Sequence, residues 1–397
     1  MKISIQMTRL GLIMVFEFAT SDRIIFGNGS LARMREIAPV LGRKPLIVSG
    51  SGSVSLDKIL EMMDDLDLTW EVFRVSHEPD IPLIQSGVAQ AKSAGCDFVI
   101  GYGGGSVLDS AKAISALMTN PGRLMDYLEV VGGGQKIPNP AAPMIALPTT
   151  AGTGTEVTRN AVIASPEHHV KVSMRSPLMI PSVAIVDPEL TYSMPPSVTA
   201  STGMDALTQV IEGYVSNRAN PMTDVISKEG ILRGARSLLA AYQDGSNRSA
   251  REDMALTSLF GGLTLANGGL GAVHGFAGPI GGMFNAPHGA ICASLLPYVM
   301  KYNVKTVRSV KGMAETARRY QEVASWLTGD PDATAEDGVL WAEALADSLS
   351  IPGLHEIGIE KEDFPKIIEK SSISSSMQKN PVELNEETLE AILNEAY

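Results

Sequence analysis

Gly101-Tyr-Gly-Gly-Gly-Ser-Val-Leu-Asp-Ser-Ala-Lys112 follows directly on the run Asp97-Phe-Val-Ile100 and opens a helix-like pattern. A strand that feeds a glycine turn and then a helix is a cradle for phosphate. Glycines let the backbone approach a pyrophosphate with no Cβ in the way, and the first helical N–H groups and the positive end of the helix dipole face the anion. The spacing is neither Gly-x-Gly-x-x-Gly nor a Walker loop, since no Gly-Lys-Ser/Thr follows. A second loop of the same kind, Pro148-Thr-Thr-Ala-Gly-Thr-Gly-Thr-Glu156, leaves another apolar run, Met144-Ile-Ala-Leu147.

Around these loops the first half of the chain alternates apolar runs with helical periodicity. Pro45–Ser49, Trp70–Phe73, Phe98–Ile100, Met144–Leu147 and Val183–Val186 read as buried strands, and Pro82–Ala94 and Ser106–Met118 as helices. That alternation predicts a parallel sheet, whose ligands bind at the C-terminal ends of the strands. Asp187-Pro-Glu-Leu190 and Met194-Pro-Pro-Ser197 read as a hinge, because proline restricts its own φ and the residue before it. Beyond it, strand signals vanish. Val198–Ser216, Pro221–Tyr242, Ala250–Gly268, Thr306–Leu327 and Thr334–Leu349 read as helices. The expectation is an α/β dinucleotide-binding domain over residues 1–195 and an all-helical domain, carrying metal and substrate, over 196–397.

The helical half holds four candidate metal ligands. Asp205 and Gln209 stand four apart on one helix face, and His274 and His288 follow in a glycine-rich stretch. A carboxylate with two imidazoles suits a borderline divalent ion. His77, His168, His169 and His355 lie outside any motif and read as structural or exposed.

Composition narrows the function. A net charge of −12 without a basic stripe argues against a nucleic-acid partner. Two cysteines, Cys96 and Cys292, make no disulfide framework; both sit in apolar settings, where a thiol behaves as a small hydrophobe, and this fits a reducing cytoplasm. The apolar patch Leu10–Phe16 is too short to span a bilayer and has no cleavage-site pattern, so neither a membrane nor targeting is expected.

With these motifs in order and at these separations, the chain resembles the iron-containing (group III) alcohol dehydrogenases from about Phe16 to its C-terminus. Met14 is a family-like start. The Gly-Gly-Gly-Ser-x-x-Asp-x-x-Lys turn, the Pro-Thr-Thr-x-Gly-Thr-Gly-x-Glu loop, the Asp of Gly203-Met-Asp-Ala-Leu207 and Pro287-His-Gly289 carry the resemblance, and Ile351-Pro-Gly-Leu354 and Asn380-Pro381 fit its tail. It implies a metal-dependent NAD(P) oxidoreductase that interconverts an alcohol with an aldehyde or ketone, with Asp205, His274 and His288 acting through Fe²⁺ or Zn²⁺. It also implies cofactor contacts from Gly104, Gly105, Ser106, Asp109, Thr149, Thr150 and Thr153, with Lys171 and Leu190 at the nicotinamide end. An ordinary surface pair of Asp109 with Lys112, one helical turn on, is the alternative to that placement of Asp109. The expected assembly is a homodimer.

Three departures from the family matter. Gln209 stands where many members have a metal-binding His, and its neutral amide is a weaker donor. Gly278 replaces a second His associated with proton relay, which predicts a roomier pocket for bulkier or more polar carbonyl substrates. Gly50 replaces an Asp that NAD-preferring relatives often carry, and Ser51 and Ser53 are placed to bind a 2′-phosphate, so NADP(H) is expected over NAD(H). The alternatives are a metal-dependent lyase or cyclase resembling dehydroquinate synthase, and a nucleotide-binding sensor that has lost catalysis.

Overall fold

The computed structural model describes residues 15–397 apart from 52–54, 169 and 285. The expectations for Met14, most of the Leu10–Phe16 patch, Ser53 and His169 therefore lie outside the described residues.

Among the described residues, eight strands fall in the first half: β1 (Arg23–Phe26), β2 (Pro45–Gly50), β3 (Glu71–Val75), β4 (Phe98–Gly103), β5 (Met144–Pro148), β6 (Asn160–Ser165), β7 (Val170–Arg175) and β8 (Val183–Val186). Between them run α1 (Met34–Leu41), α2 (Asp57–Asp65), α3 (Ile81–Ala94), α4 (Gly105–Thr119) and the single turn α5 (Leu124–Tyr127). Six strands form one parallel sheet in the order β1-β8-β5-β4-β2-β3, while β6 and β7 pair as an antiparallel hairpin.

The sheet is covered on both faces, which is why its strands read as continuous apolar runs. Leu46, Val48, Val99, Met144 and Ala146 pack on the side of α3, α4 and the hairpin. The alternate residues Ile47, Phe98, Ile100, Ile145 and Leu147 pack on the side of α1 and α2. The chain moves outward from β2 to β3 and then crosses back to β4, so the strand order reverses between β2 and β4. A crevice opens at the C-terminal ends of such strands, here at Gly50 and Gly103.

The second half is helical throughout: α6 (Pro196–Val215), α7 (Pro221–Gln243), α8 (Arg248–Asn267), α9 (Ala272–Met283), α10 (His288–Ser309), α11 (Ala314–Thr328), α12 (Ala335–Ser348), α13 (Phe364–Ser372) and α14 (Glu386–Glu395). The caps follow from the sequence. Asn220 accepts from the amides of Met222 and Thr223 ahead of Pro221, and Thr334 with Asp337 forms a capping box. No single helix among the described residues is long and apolar enough to cross a membrane; α8 and α9 reach that composition only as a pair bent by 93°.

Several expectations change. The helix expected over Thr306–Leu327 is two helices, broken where Gly312 takes a left-handed φ of 89°. The stretch containing both candidate histidines forms α9 and most of α10, which its glycines and prolines had masked. β1 is short, and the hairpin alternates buried with exposed positions, so neither gives the continuous run of an interior strand. The expected hinge is a tied joint. Asp187 accepts from the amides of Gly29 and Leu31, and the buried Arg251 of α8 donates to the Met194 carbonyl and to Thr199 Oγ1.

Candidate active site

The cradle is made of backbone. β4 ends at Gly103 and α4 starts immediately, with Gly104 at its N-cap and no side chain on the free amides there. The second loop closes over it. A Cβ on Gly104 would stand 3.2 Å from Thr150 Cγ2, and one on Gly105 would stand 2.9 Å from Thr153 Cγ2. Glycine is therefore required by the approach of the two loops as much as by any ligand. Ser106 lies in the first turn of α4, and the Thr149 amide donates to the Gly103 carbonyl at 3.0 Å, locking the loops together.

Asp109 and Lys112 brace this arrangement from below, so the surface-pair alternative does not hold. Lys112 is fully buried; its ammonium lies 3.1 Å from Asp109 Oδ1 and donates to Thr158 Oγ1 at 2.9 Å and to carbonyls of Thr155 and Asn160. Burial pulls the ammonium below its ordinary range, against the pull of Asp109. Asp109 accepts from Thr155 Oγ1 at 2.5 Å and from the Val162 amide at 2.9 Å. Both its oxygens are committed to protein partners, so it positions the threonine loop.

The same loop abuts the helical half. Cβ atoms on Gly152 and Gly154 would collide with Thr202 of α6 at 2.7 Å and with Gly262 of α8 at 2.4 Å. A Cβ on Gly289, the second residue of α10, would stand 2.6 Å from the Ser201 carbonyl. Asp205 is one turn beyond Thr202, so the cradle and both histidine helices converge on the middle of α6.

There the ligating atoms of Asp205, His274, His288 and Cys292 lie within 4.8 Å of one another. His274 Nε2 is 3.2 Å and His288 Nε2 3.9 Å from Asp205 Oδ1. Asp205 is buried, His274 nearly so, and 38% of the His288 side chain is exposed, which leaves the cluster open on that side. Burial favours the neutral imidazole of His274, but the Cys292 sulfur, Asp205 and Glu212 outweigh it and hold the ring well above its ordinary value. His288 is raised in the same way by Cys292 and Asp205. Burial would raise the Asp205 carboxyl, but the two histidines bring it below its usual range. The cluster thus draws positive charge to its centre, and with a carboxylate and two imidazoles it fits a borderline divalent ion.

Sequence reasoning missed Glu212, two turns after Asp205 on the same face of α6. Glu212 Oε2 meets His274 Nδ1 at 2.7 Å, and Oε1 accepts from the Val273 amide at 2.6 Å. This fixes the ring with Nε2 toward Asp205, as a carboxylate behind a metal-binding histidine does. The i+7 spacing from Asp205 was the available signal.

Iron-containing alcohol dehydrogenase family models match residues 21–188 and, for the C-terminal part, 199–397. The chain belongs to the iron-containing alcohol dehydrogenase family. It is 34% identical over 378 residues to alcohol dehydrogenase 4 of Saccharomyces cerevisiae, covering 94% of this chain and 96% of the relative. It is 34% identical over 391 residues to 1,3-propanediol dehydrogenase of Klebsiella pneumoniae, covering 96% and 99%. The crystal structure of a 1,3-propanediol oxidoreductase superposes with a TM-score of 0.88 at 32% identity, covering 97% of this chain and all of that one. The protein is a metal-dependent oxidoreductase of alcohols and aldehydes, and the lyase and sensor alternatives fall away.

Within this family site, the other expected residues divide. Gly50 ends β2, and Ser51 follows it, exposed. Lys171 lies on β7, paired with Glu78 and beside Gly281 of α9. Leu190 packs with the α1–α2 face of the sheet. Gln209 turns its amide toward the Thr153 carbonyl, 3.4 Å from Nε2, and toward Gly261, where a Cβ would stand 2.6 Å from Oε1; that oxygen is buried with no hydrogen-bond partner. Gly278 sits one turn after His274, and a Cβ there would meet nothing within 4 Å. Cys292 corrects the sequence reading: it is buried, but among imidazoles, with Sγ 3.8 Å from His274 Nε2 and 3.6 Å from His288 Nε2. His77, His168 and His355 pair with Asp80, Ser165 and Tyr397, away from the site.

Proposed function

We propose that this chain reduces a carbonyl substrate with NADPH in the crevice between the sheet and α6, with Asp205, His274 and His288 holding a divalent metal. The observation that carries the reading is the convergence of the glycine cradle and the donor cluster on α6, through Gly152 against Thr202 and Gly289 against Ser201. When bound there, a divalent ion supplies Lewis acidity, easing loss of the alcohol proton in one direction and polarising the carbonyl in the other. The rest is the work of the chain's own residues. The α4 N-terminus and the Thr149–Thr153 loop hold the pyrophosphate, Glu212 orients His274, and the space beside Gly278 takes the body of the substrate. A substrate bulkier than a short-chain aldehyde suits that space.

The preference for NADPH rests on the outer end of the crevice. Gly50 presents no carboxylate to repel a 2′-phosphate, and Arg74 Nη1 of β3 lies 2.9 Å from the Gly50 carbonyl. Arginine at this end of a dinucleotide fold accommodates a 2′-phosphate. The division into domains at residues 195/196 belongs to the same reading, as do a homodimeric assembly and a cytoplasmic location.

Steady-state assays with a panel of aldehydes, NADH and NADPH, and defined metals test this. The reading expects kcat/KM for NADPH to exceed that for NADH. Arg74→Ala should lower the NADPH value about 10-fold or more, the worth of a hydrogen bond to a charged group, and Gly50→Asp should shift preference toward NADH. A higher kcat/KM for NADH in the unaltered protein overturns the preference.

A further inference from the structure

Four donor atoms meet beside the middle of α6, while Gln209, at the family's fourth ligand position, faces elsewhere. We infer that the Cys292 sulfur, and not Gln209, supplies the fourth protein ligand, making a carboxylate–imidazole–imidazole–thiolate site for a borderline divalent ion such as Zn²⁺ or Co²⁺. The inference rests on the proposed metal site and adds to it the identity of one ligand.

The distances carry it. Bonds of about 2.0–2.1 Å from zinc to oxygen and nitrogen and about 2.3 Å to sulfur imply tetrahedral edges of about 3.4 Å between N and O and about 3.6 Å between N and S. The structure has N–O separations of 3.2 and 3.9 Å and N–S separations of 3.8 and 3.6 Å. The placement is built into the helix: Cys292 is one turn after His288 on α10, so both side chains share a face. Cys292 is fully buried in this position. Gln209 Oε1, the competing donor, lies against Gly261 of α8 and lacks a partner.

The chemistry follows from the exchange of donors. Cysteine ligates as the thiolate, bringing a second negative charge beside Asp205, where an amide oxygen would bring none. A thiolate is also softer than imidazole or amide and shifts selectivity toward Zn²⁺ relative to a site of nitrogen and oxygen alone. The exposed side of His288 leaves room for a fifth, substrate position.

The experiment uses the full-length protein, stripped by chelator and reconstituted with Co²⁺ or Zn²⁺, with bound metal quantified. Co²⁺-loaded protein should show a near-ultraviolet sulfur-to-cobalt charge-transfer band, and Zn²⁺-loaded protein a sulfur neighbour at about 2.3 Å by X-ray absorption. Cys292→Ser should abolish both and weaken metal retention by more than about 10-fold. Cys96→Ala and Gln209→Ala should keep the band and hold metal within about threefold of the unaltered protein. Because the spectra are read first on unaltered protein, a Cys292 variant that fails to fold leaves the test intact. Stoichiometric metal with no sulfur in its coordination sphere overturns the inference and leaves the proposed metal site standing. Protein that binds no metal, or whose His288→Ala variant keeps it in full, overturns both.

Discussion

The two ends of the active site are built by opposite means. The cradle end uses backbone: contiguous glycines and threonines at the tips of β4 and β5, held by the buried Lys112–Asp109 brace. The donor end uses side chains drawn from three helices, with Asp205 and Glu212 on α6, His274 on α9, and His288 and Cys292 on α10. A backbone site tolerates little, since each Cβ at Gly104 or Gly105 would press on a threonine of the facing loop. A side-chain site can be rewired, because a donor lost from one helix can be replaced from another, as Gln209 and Cys292 illustrate. Damage at one end should therefore spare the other.

The largest effect is expected at the donor end. Even the partners behind metal ligands are worth about 10–100-fold in affinity or activity, so His274→Ala should lower metal affinity by more than about 100-fold and abolish turnover. Metal analysis after dialysis checks this, with NADPH binding retained; retention of full metal would remove His274 from the site. Glu212→Gln leaves the ligands in place and loosens one of them, so a loss within the same 10–100-fold range is expected. A chelator competition curve identical to that of the unaltered protein would make Glu212 merely structural.

The cradle end should answer in the other currency. Overpacking typically costs about 1–3 kcal/mol, so Gly105→Ala should weaken NADPH binding roughly 10-fold with metal content unchanged. Loss of metal together with cofactor in that variant would show that the ends are not separable.

A separate effect concerns stability and leaves binding aside. Glu156, at the close of the threonine loop, is buried, and burial pushes its carboxyl up to about 7, with its own backbone amide and Lys112 opposing. The unfolded carboxyl ionises above its ordinary 4.5, while the folded one keeps its proton until about 7. The folded state therefore binds more protons in that window, and stability falls as pH rises through it. Glu156→Gln should remove up to roughly 3 kcal/mol of that fall, read from urea unfolding at pH 5 and pH 8. Equal pH dependence in both proteins would deny Glu156 this role.

The same division explains what the sequence made legible. The central strands and the two glycine loops were readable because their residues are adjacent in the chain and their chemistry lies in the backbone. Asp205, His274 and His288 were readable as a candidate donor set from their residue types, but only family order tied them together, since nothing local marks a ligand whose partners lie some 70–80 residues away. Glu212 and Cys292 escaped notice because their roles depend on the crossing of α6, α9 and α10. The buried thiol looked like a small hydrophobe until the imidazoles beside it were in place. Arg74 was missed for a similar reason, since parallel pairing of β2 with β3 sets it beside Gly50.

The separability of the two ends is tested most directly by titrating NADPH into the chelator-stripped protein and into the same protein reloaded with metal, following cofactor fluorescence while turnover is assayed in parallel. The account predicts dissociation constants within about threefold of each other and turnover only in the reloaded sample. A dissociation constant at least about 10-fold weaker in the stripped protein, a gap of about 1.4 kcal/mol, would contradict it.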